Sequence, residues 1–320
     1  MMVYFTIRKG AKMKRLLILF CTLFMVFTSA FAFTGCDLVK DIISTITNAE
    51  TDGEKDDNTI AVHGSLELEQ ALNILTTGKK ILLCDGIYNK KLSVYPKNFP
   101  VYIVGENGVS LNGVTIYDNV KDFTIENVNF ALKGIEIGRA ENVNIKNCAF
   151  TLNANVINLA GSVVTNLVID TCSFVNISNS LTSAMKIQEY NGLTVKNCTF
   201  ENVEYNAMQL GNNVANGVVV IDGNIFKDIG SRVIYLVYID GLTSCTIENN
   251  LFYDNTDSLL LPGDLDDGIK KESGIYIHSK STMGNLLVGK NFWEEIPDCD
   301  ALYIAPVANY NANEQALIQN

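Results

Sequence analysis

The chain reads LTVKNCTF at residues 193–200, VVIDGNIF at 219–226 and CTIENNLF at 245–252. Aligned on the last aromatic, the same phrase occurs as FTIENVNF (123–130), VNIKNCAF (143–150) and LVIDTCSF (167–174). A degenerate copy, LLVGKNFW, falls at 286–293. Successive copies are 20, 24, 26, 26, 26 and 41 residues apart. Periods in the twenties belong to solenoids, in which each repeat forms one coil and stacks on its neighbours.

The residue types decide which solenoid. Positions 1 and 3 of the phrase are apolar, and positions 2 and 4 are mostly polar. Position 3 is Ile125, Ile145, Ile169, Val195, Ile221, Ile247 and Val288. Alternation with β-branched residues predicts strands, not helices. Position 5 is Asn127, Asn147, Asn197 and Asn249, with Thr171 and Gly223 as exceptions. Asn tolerates the left-handed backbone of a tight turn, and stacked Asn side chains can bond each other in a ladder. Position 8 is Phe130, Phe150, Phe174, Phe200, Phe226, Phe252 and Trp293, which predicts an inward aromatic stack.

A second strand recurs between the phrases: GIEIG (134–138), VINLA (156–160), AMKIQ (184–188), AMQLG (207–211), VIYLV (233–237), GIYIH (274–278) and ALYIA (301–305). Its second and fourth residues are aliphatic or Met and point inward; its third points out. Each coil therefore carries at least two strands, with a third beyond the aromatic. Parallel coils stack about 4.8 Å apart. The spacing of a leucine-rich repeat is absent.

These repeats resemble the right-handed parallel β-helix of the pectate-lyase-like superfamily, over roughly residues 61–305. The expected fold is all-β: a single-domain right-handed parallel β-helix solenoid with a short N-terminal capping helix. In SLELEQALNILTTGKKILLCDGIY, Leu68, Ala71, Leu72 and Leu75 share one helical face. This opening is similar to that of the chondroitinase B and alginate lyase family. The helix would cover the open first coil and block edge-to-edge pairing.

Residues 1–35 read as a targeting segment. Arg8, Lys9, Lys12, Lys14 and Arg15 precede the run LLILFCTLFMVFTSAFAF, the pattern of a secretory signal. The run ends in FTGC, which resembles the bacterial lipoprotein cleavage box. By that resemblance Cys36 is the lipidated first residue of the mature chain. Each buried acyl CH₂ contributes about 0.8 kcal/mol, so a multiply acylated Cys36 would anchor stably. The expected location is extracytoplasmic, at a bacterial membrane. Residues 36–60 read as a polar tether and 306–320 as a tail. Loss of the five basic residues takes the formal charge from −11 to −16. So acidic a chain argues against nucleic acid as a partner. A monomer is expected.

Cys148, Cys172 and Cys198 share position 6 and are expected to stack inside the coil. Adjacent coils bring Cα atoms within disulfide reach. A bridge or a row of small buried hydrophobes both fit, and no metal spacing appears. The insertion DNTDSLLLPGDLDDGIKKES (254–273) has five aspartates, which raises calcium as the one cofactor to consider. It lacks the register of known calcium loops, so the expectation is no cofactor.

In the resembled superfamily, glycans bind along the outer face of one sheet. The matching row here is Glu136, Asn158, Lys186, Gln209, Tyr235, Tyr276 and Tyr303, with Gln188 and His278 added from the fifth position. The first position is small throughout (Gly134, Val156, Ala184, Ala207, Val233, Gly274, Ala301), which would leave the row accessible. Tyrosines could stack on sugar rings and polar residues could bond hydroxyls. The expected function is polysaccharide binding, or service as a surface scaffold or adhesin, without assured catalysis. The alternative is a uronate lyase, as the resemblance implies: Lys186 would be the base, with Tyr235 or His278 assisting. The arginine such a lyase needs has no counterpart on an adjacent coil. A glycoside hydrolase needs paired carboxylates, and the row offers only Glu136.

Overall fold

The computed structural model describes residues 57–151, 156–159, 163–178, 183–212, 217–239, 241–255, 273–277, 283–294, 300–304 and 316–319. The segment read as a signal, most of that read as a tether, most of the aspartate-rich insertion and His278 lie outside these residues. The described strands form three parallel sheets of eleven, nine and nine strands. Each complete coil contributes one strand to each sheet, the eleven-stranded sheet gaining one further strand at either end, and each interior strand pairs with its counterparts in the coils before and after.

The repeated phrase turns a corner. Its first half belongs to one sheet, as in Tyr190–Lys196, and its aromatic end to the next, as in Thr199–Val203. The aromatic therefore lies within the third strand rather than before it. The corner is position 5, and its backbone is left-handed at Asn127, Asn147, Thr171, Asn197, Asn249 and Lys290, with φ between 48° and 58°. Gly223 has φ 65° at the same place. Thr171 and Lys290 accept this conformation against their preference, because coil geometry imposes it.

The expected Asn ladder at this corner is only partial. Asn147 donates to Oδ1 of Asn127. Elsewhere the amide reaches the position-4 carboxylate of the preceding coil: Asn197 to Asp170 at 3.2 Å and Asn249 to Asp222 at 2.7 Å.

Inside the coil, the position-8 rings stack without a break. Centroids from Phe130 through Phe150, Phe174, Phe200 and Phe226 to Phe252 are 4.5–5.0 Å apart, and Trp293 ends the column 4.0 Å from Phe252. Each Phe is fully buried. Burial of such a ring contributes about 1.5–3 kcal/mol, more than any surface contact in the coil.

Helix α1 (Ser65–Ile74) buries Leu68, Ala71 and Leu72, with Leu75 just beyond, against the first coil. Glu67 in its first turn accepts the His63 backbone N–H at 2.7 Å, tying the helix start to the preceding strand. At the other end, a strand at Ala316–Gln319 pairs with Met283–Gly289. The segment expected as a tail after residue 305 thus holds one more strand of the first sheet.

Candidate functional site

The third positions of the second strand do form one row on one sheet. Glu136 pairs with Asn158, Asn158 with Lys186, Lys186 with Gln209, Gln209 with Tyr235, Tyr235 with Tyr276 and Tyr276 with Tyr303. Their environments differ sharply along the row.

The tyrosine end is closed among the described side chains. Tyr276 is 4% exposed. The buried Arg232 guanidinium lies 4.4 Å from the Tyr235 ring centre and 4.3 Å from that of Tyr276. The two rings meet edge-on at 5.3 Å. Tyr276 was expected to offer its ring to a sugar; in the structure that ring is buried against Arg232. Its π-face is engaged by a cation from within the chain, a stronger partner in a desolvated setting than a sugar C–H face. Tyr303 is described only by its backbone, and the expected assistant His278 lies outside the described residues.

The middle of the row is half-buried. Lys186 sits between Asn158 and Gln209, and Gln209 accepts the Ser183 hydroxyl at 3.3 Å. Gln188 is exposed beyond the strand end. Arg232 lies against Tyr235, two coils on from Lys186, so no arginine stands beside Lys186 in the row. The small first positions prove to be packing residues: Val156, Ala184, Ala207 and Val233 are buried. A Cβ at Gly134 would collide with the Val156 carbonyl. Small side chains there serve close approach of the coils, not access to the row.

At the opposite end of the sheet the row continues through Thr115 and Ser93, which the sequence reading did not include. Beside them lies a surface groove of about 560 Å³. Tyr95, Tyr117, Asp118, Glu136 and Asn158 are among its walls. The Tyr95 and Tyr117 rings stack in parallel at 4.5 Å and are 57% and 41% exposed. The Tyr117 hydroxyl, bonded to that of Tyr95, pushes the Tyr95 phenol above its ordinary value.

The groove follows from the local sequence. Leu92–Val94 and Val114–Ile116 are adjacent strands, each followed by Tyr. The next coil has Gly138 at that place. The row therefore drops from two large rings to no side chain, and a hollow opens beside Tyr117. Asp118 reaches over Gly138 and accepts the Arg139 backbone N–H at 2.7 Å. A Cβ at residue 138 would lie 2.5 Å from Asp118 Oδ1. Glu136 accepts from Lys91 Nζ at 2.6 Å and from Thr115 Oγ1 at 3.4 Å, both on Oε2.

The sequence reading placed Glu136 and Asn158 correctly in one row but missed Tyr95, Tyr117 and Asp118. The signal was present: LSVYP (92–96) and VTIYD (114–118) share apolar-polar-apolar-Tyr and continue the second strand upstream.

The five described cysteines, Cys84, Cys148, Cys172, Cys198 and Cys245, are free and buried. Among the described residues no group of three or more His, Cys, Asp or Glu side chains could hold a metal ion. No described helix is long and apolar enough to cross a membrane.

Three stacked parallel sheets with an inward repeat define a β-helix. The chain matches the family of the right-handed beta helix region over residues 100–292, and it belongs to that family. Comparison with curated proteins found no match.

Proposed function

We propose that this chain is a carbohydrate-binding β-helix protein whose sugar site is the Tyr95–Tyr117 groove. The observation that carries this reading is the stacked, partly exposed pair of tyrosine rings beside Asp118, Glu136 and Asn158 in one groove. Rings present apolar faces to sugar C–H groups, while carboxylates and amides accept and donate to hydroxyls. The β-helix supplies rigidity, since every groove residue stands on a paired strand or within two residues of one.

Binding is favoured over catalysis. Glu136 has a side chain 59% exposed and ion-paired to Lys91, which is a poor setting for a general acid. Lys186 has Asn158 and Gln209 as row neighbours, and neither can neutralise a uronate carboxylate. The reading also includes an acyl anchor at Cys36, supported by the charged-then-apolar segment and FTGC. That places the groove outside the cytoplasm, within reach of glycans.

A glycan array probed with the full chain tests the reading. Retention of one glycan class, weakened at least tenfold by Tyr95→Ala with unchanged thermal unfolding, is the expected result. No retained glycan, or binding indifferent to Tyr95→Ala and Tyr117→Ala together, would overturn it. Release of unsaturated uronate from polyuronates, lost in Lys186→Ala, would install the lyase reading instead. Fatty-acid labelling that persists in Cys36→Ser would remove the anchor.

A further inference from the structure

We infer that the groove prefers a glycan carrying a protonated amino group, such as an unacetylated hexosamine, and rejects uronates; this rests on the sugar-binding reading above. Two independent features lead there. First, the charged residues lining the groove are both acidic, Asp118 and Glu136. Their known contacts leave acceptor capacity: Asp118 uses Oδ1 for the Arg139 N–H, and both contacts of Glu136 among the described residues fall on Oε2. Oδ2 and Oε1 remain as acceptors for a ligand.

Second, the other wall is the stacked Tyr95–Tyr117 pair, whose ring faces carry negative π-density. A sugar lying on an outer face of this stacked pair with its ammonium towards the carboxylates gains charge-assisted hydrogen bonds and cation–π attraction. An N-acetyl group keeps the stacking but removes the charge. A uronate brings its carboxylate against Asp118 and Glu136, where like charges repel. Lys91 offsets part of this field from beside Glu136, so discrimination depends most on Asp118.

Titration calorimetry of the full chain with three short probes decides the matter: glucosamine trimer, N-acetylglucosamine trimer and galacturonate trimer. The expected order places the glucosamine trimer at least tenfold tighter than its acetylated form, with the galacturonate trimer weakest. Asp118→Asn and Glu136→Gln, singly and together, should shrink that preference. Glu204→Gln with Glu294→Gln makes the same charge change at exposed sites outside the groove, and should preserve it. Added salt should narrow the preference without abolishing the Tyr95-dependent part.

Equal or tighter binding of the acetylated or galacturonate trimer, still sensitive to Tyr95→Ala, overturns this inference and leaves the sugar site standing. Glucosamine preference lost equally in the distant double variant also overturns it, because the cause is then overall charge. Failure of all three trimers to bind overturns the inference; an empty glycan array alongside it removes the sugar site as well.

Discussion

The side-chain amide of Asn224 donates to Oδ1 of Asn250 in the next coil at 2.9 Å, and the same oxygen accepts the Asn224 backbone N–H at 2.9 Å. Asn250 repeats the arrangement with Asn291, at 3.0 Å for both bonds. Each amide also reaches back to a backbone carbonyl: Asn224 to Val195 at 3.0 Å, Asn250 to Ile221 at 3.0 Å and Asn291 to Ile247 at 2.9 Å. These position-6 residues satisfy the buried backbone groups that the corner leaves unpaired. Earlier coils use thiols in the same role. Cys198 Sγ contacts the Ile169 carbonyl at 3.7 Å, and the Cys172 N–H points to Cys198 Sγ at 3.4 Å.

Asn250→Ala should therefore destabilise strongly. It strands the Asn224 N–H and the Ile221 carbonyl, at about 1–3 kcal/mol for each buried group left unmade. Asn250→Cys should cost less, since the coils at Cys148, Cys172 and Cys198 already run on sulfur. Denaturant midpoints of the two variants check this; equal losses would mean that the ladder contributes only volume.

The thiols set an alkaline limit. Cys172 and Cys198 are pushed well up, first by hydrogen bonding with a neighbouring thiol and further by burial; burial pushes Cys245 up to about 12. A raised thiol stays protonated in the folded chain while the unfolded chain ionises near the free value of about 8.5. Stability from these groups is complete below that pH and declines as pH rises towards the folded values. The slope is at most about 1.4 kcal/mol per pH unit for each thiol. Denaturant midpoints should be flat on the acidic side of the free thiol value and fall above it, less steeply in Cys245→Ala.

Tyr190 lies fully buried, and its hydroxyl has no hydrogen-bond partner among the described residues. Burial drives its phenol well above the ordinary value. Removing an unsatisfied hydroxyl removes its desolvation cost, so Tyr190→Phe should raise stability by about 1 kcal/mol. A higher melting temperature in scanning calorimetry is the expected result; a lower one would mean that the hydroxyl is satisfied.

Gly138→Ala should separate groove from fold. The added methyl has to displace the Asp118 carboxylate, an exposed group, and also crowds the Ile116 carbonyl and the Asp118 backbone N, each at 3.1 Å. Unfolding should shift by about 1 kcal/mol, the size of a typical single change, while glycan affinity falls about tenfold. Unaltered affinity would show that Asp118 is not part of the site.

Much of this was readable in advance, and for one reason: a solenoid repeats its environment, so the residues report it again and again. Phe150, Phe174, Phe200, Phe226 and Phe252 specify a column because one site recurs in successive coils. Position 5 specifies a left-handed corner in the same way. The site does not repeat, and so it could not be read by alignment of copies. Tyr276 and Glu136 occupy equivalent positions, yet one is sealed by Arg232 and the other opens on a groove.

The sequence by itself determined the coil: its period, its inward face, its corners and its capping helix. These follow from local backbone preference and from apolar residues recurring at fixed offsets. Only the tertiary structure decided which stretch of the outer row opens on a groove. That depends on which side chains from different coils meet. Arg232 fills the space between Tyr235 and Tyr276, whereas Gly138 leaves space beside Tyr117, and neither outcome is encoded within a single repeat.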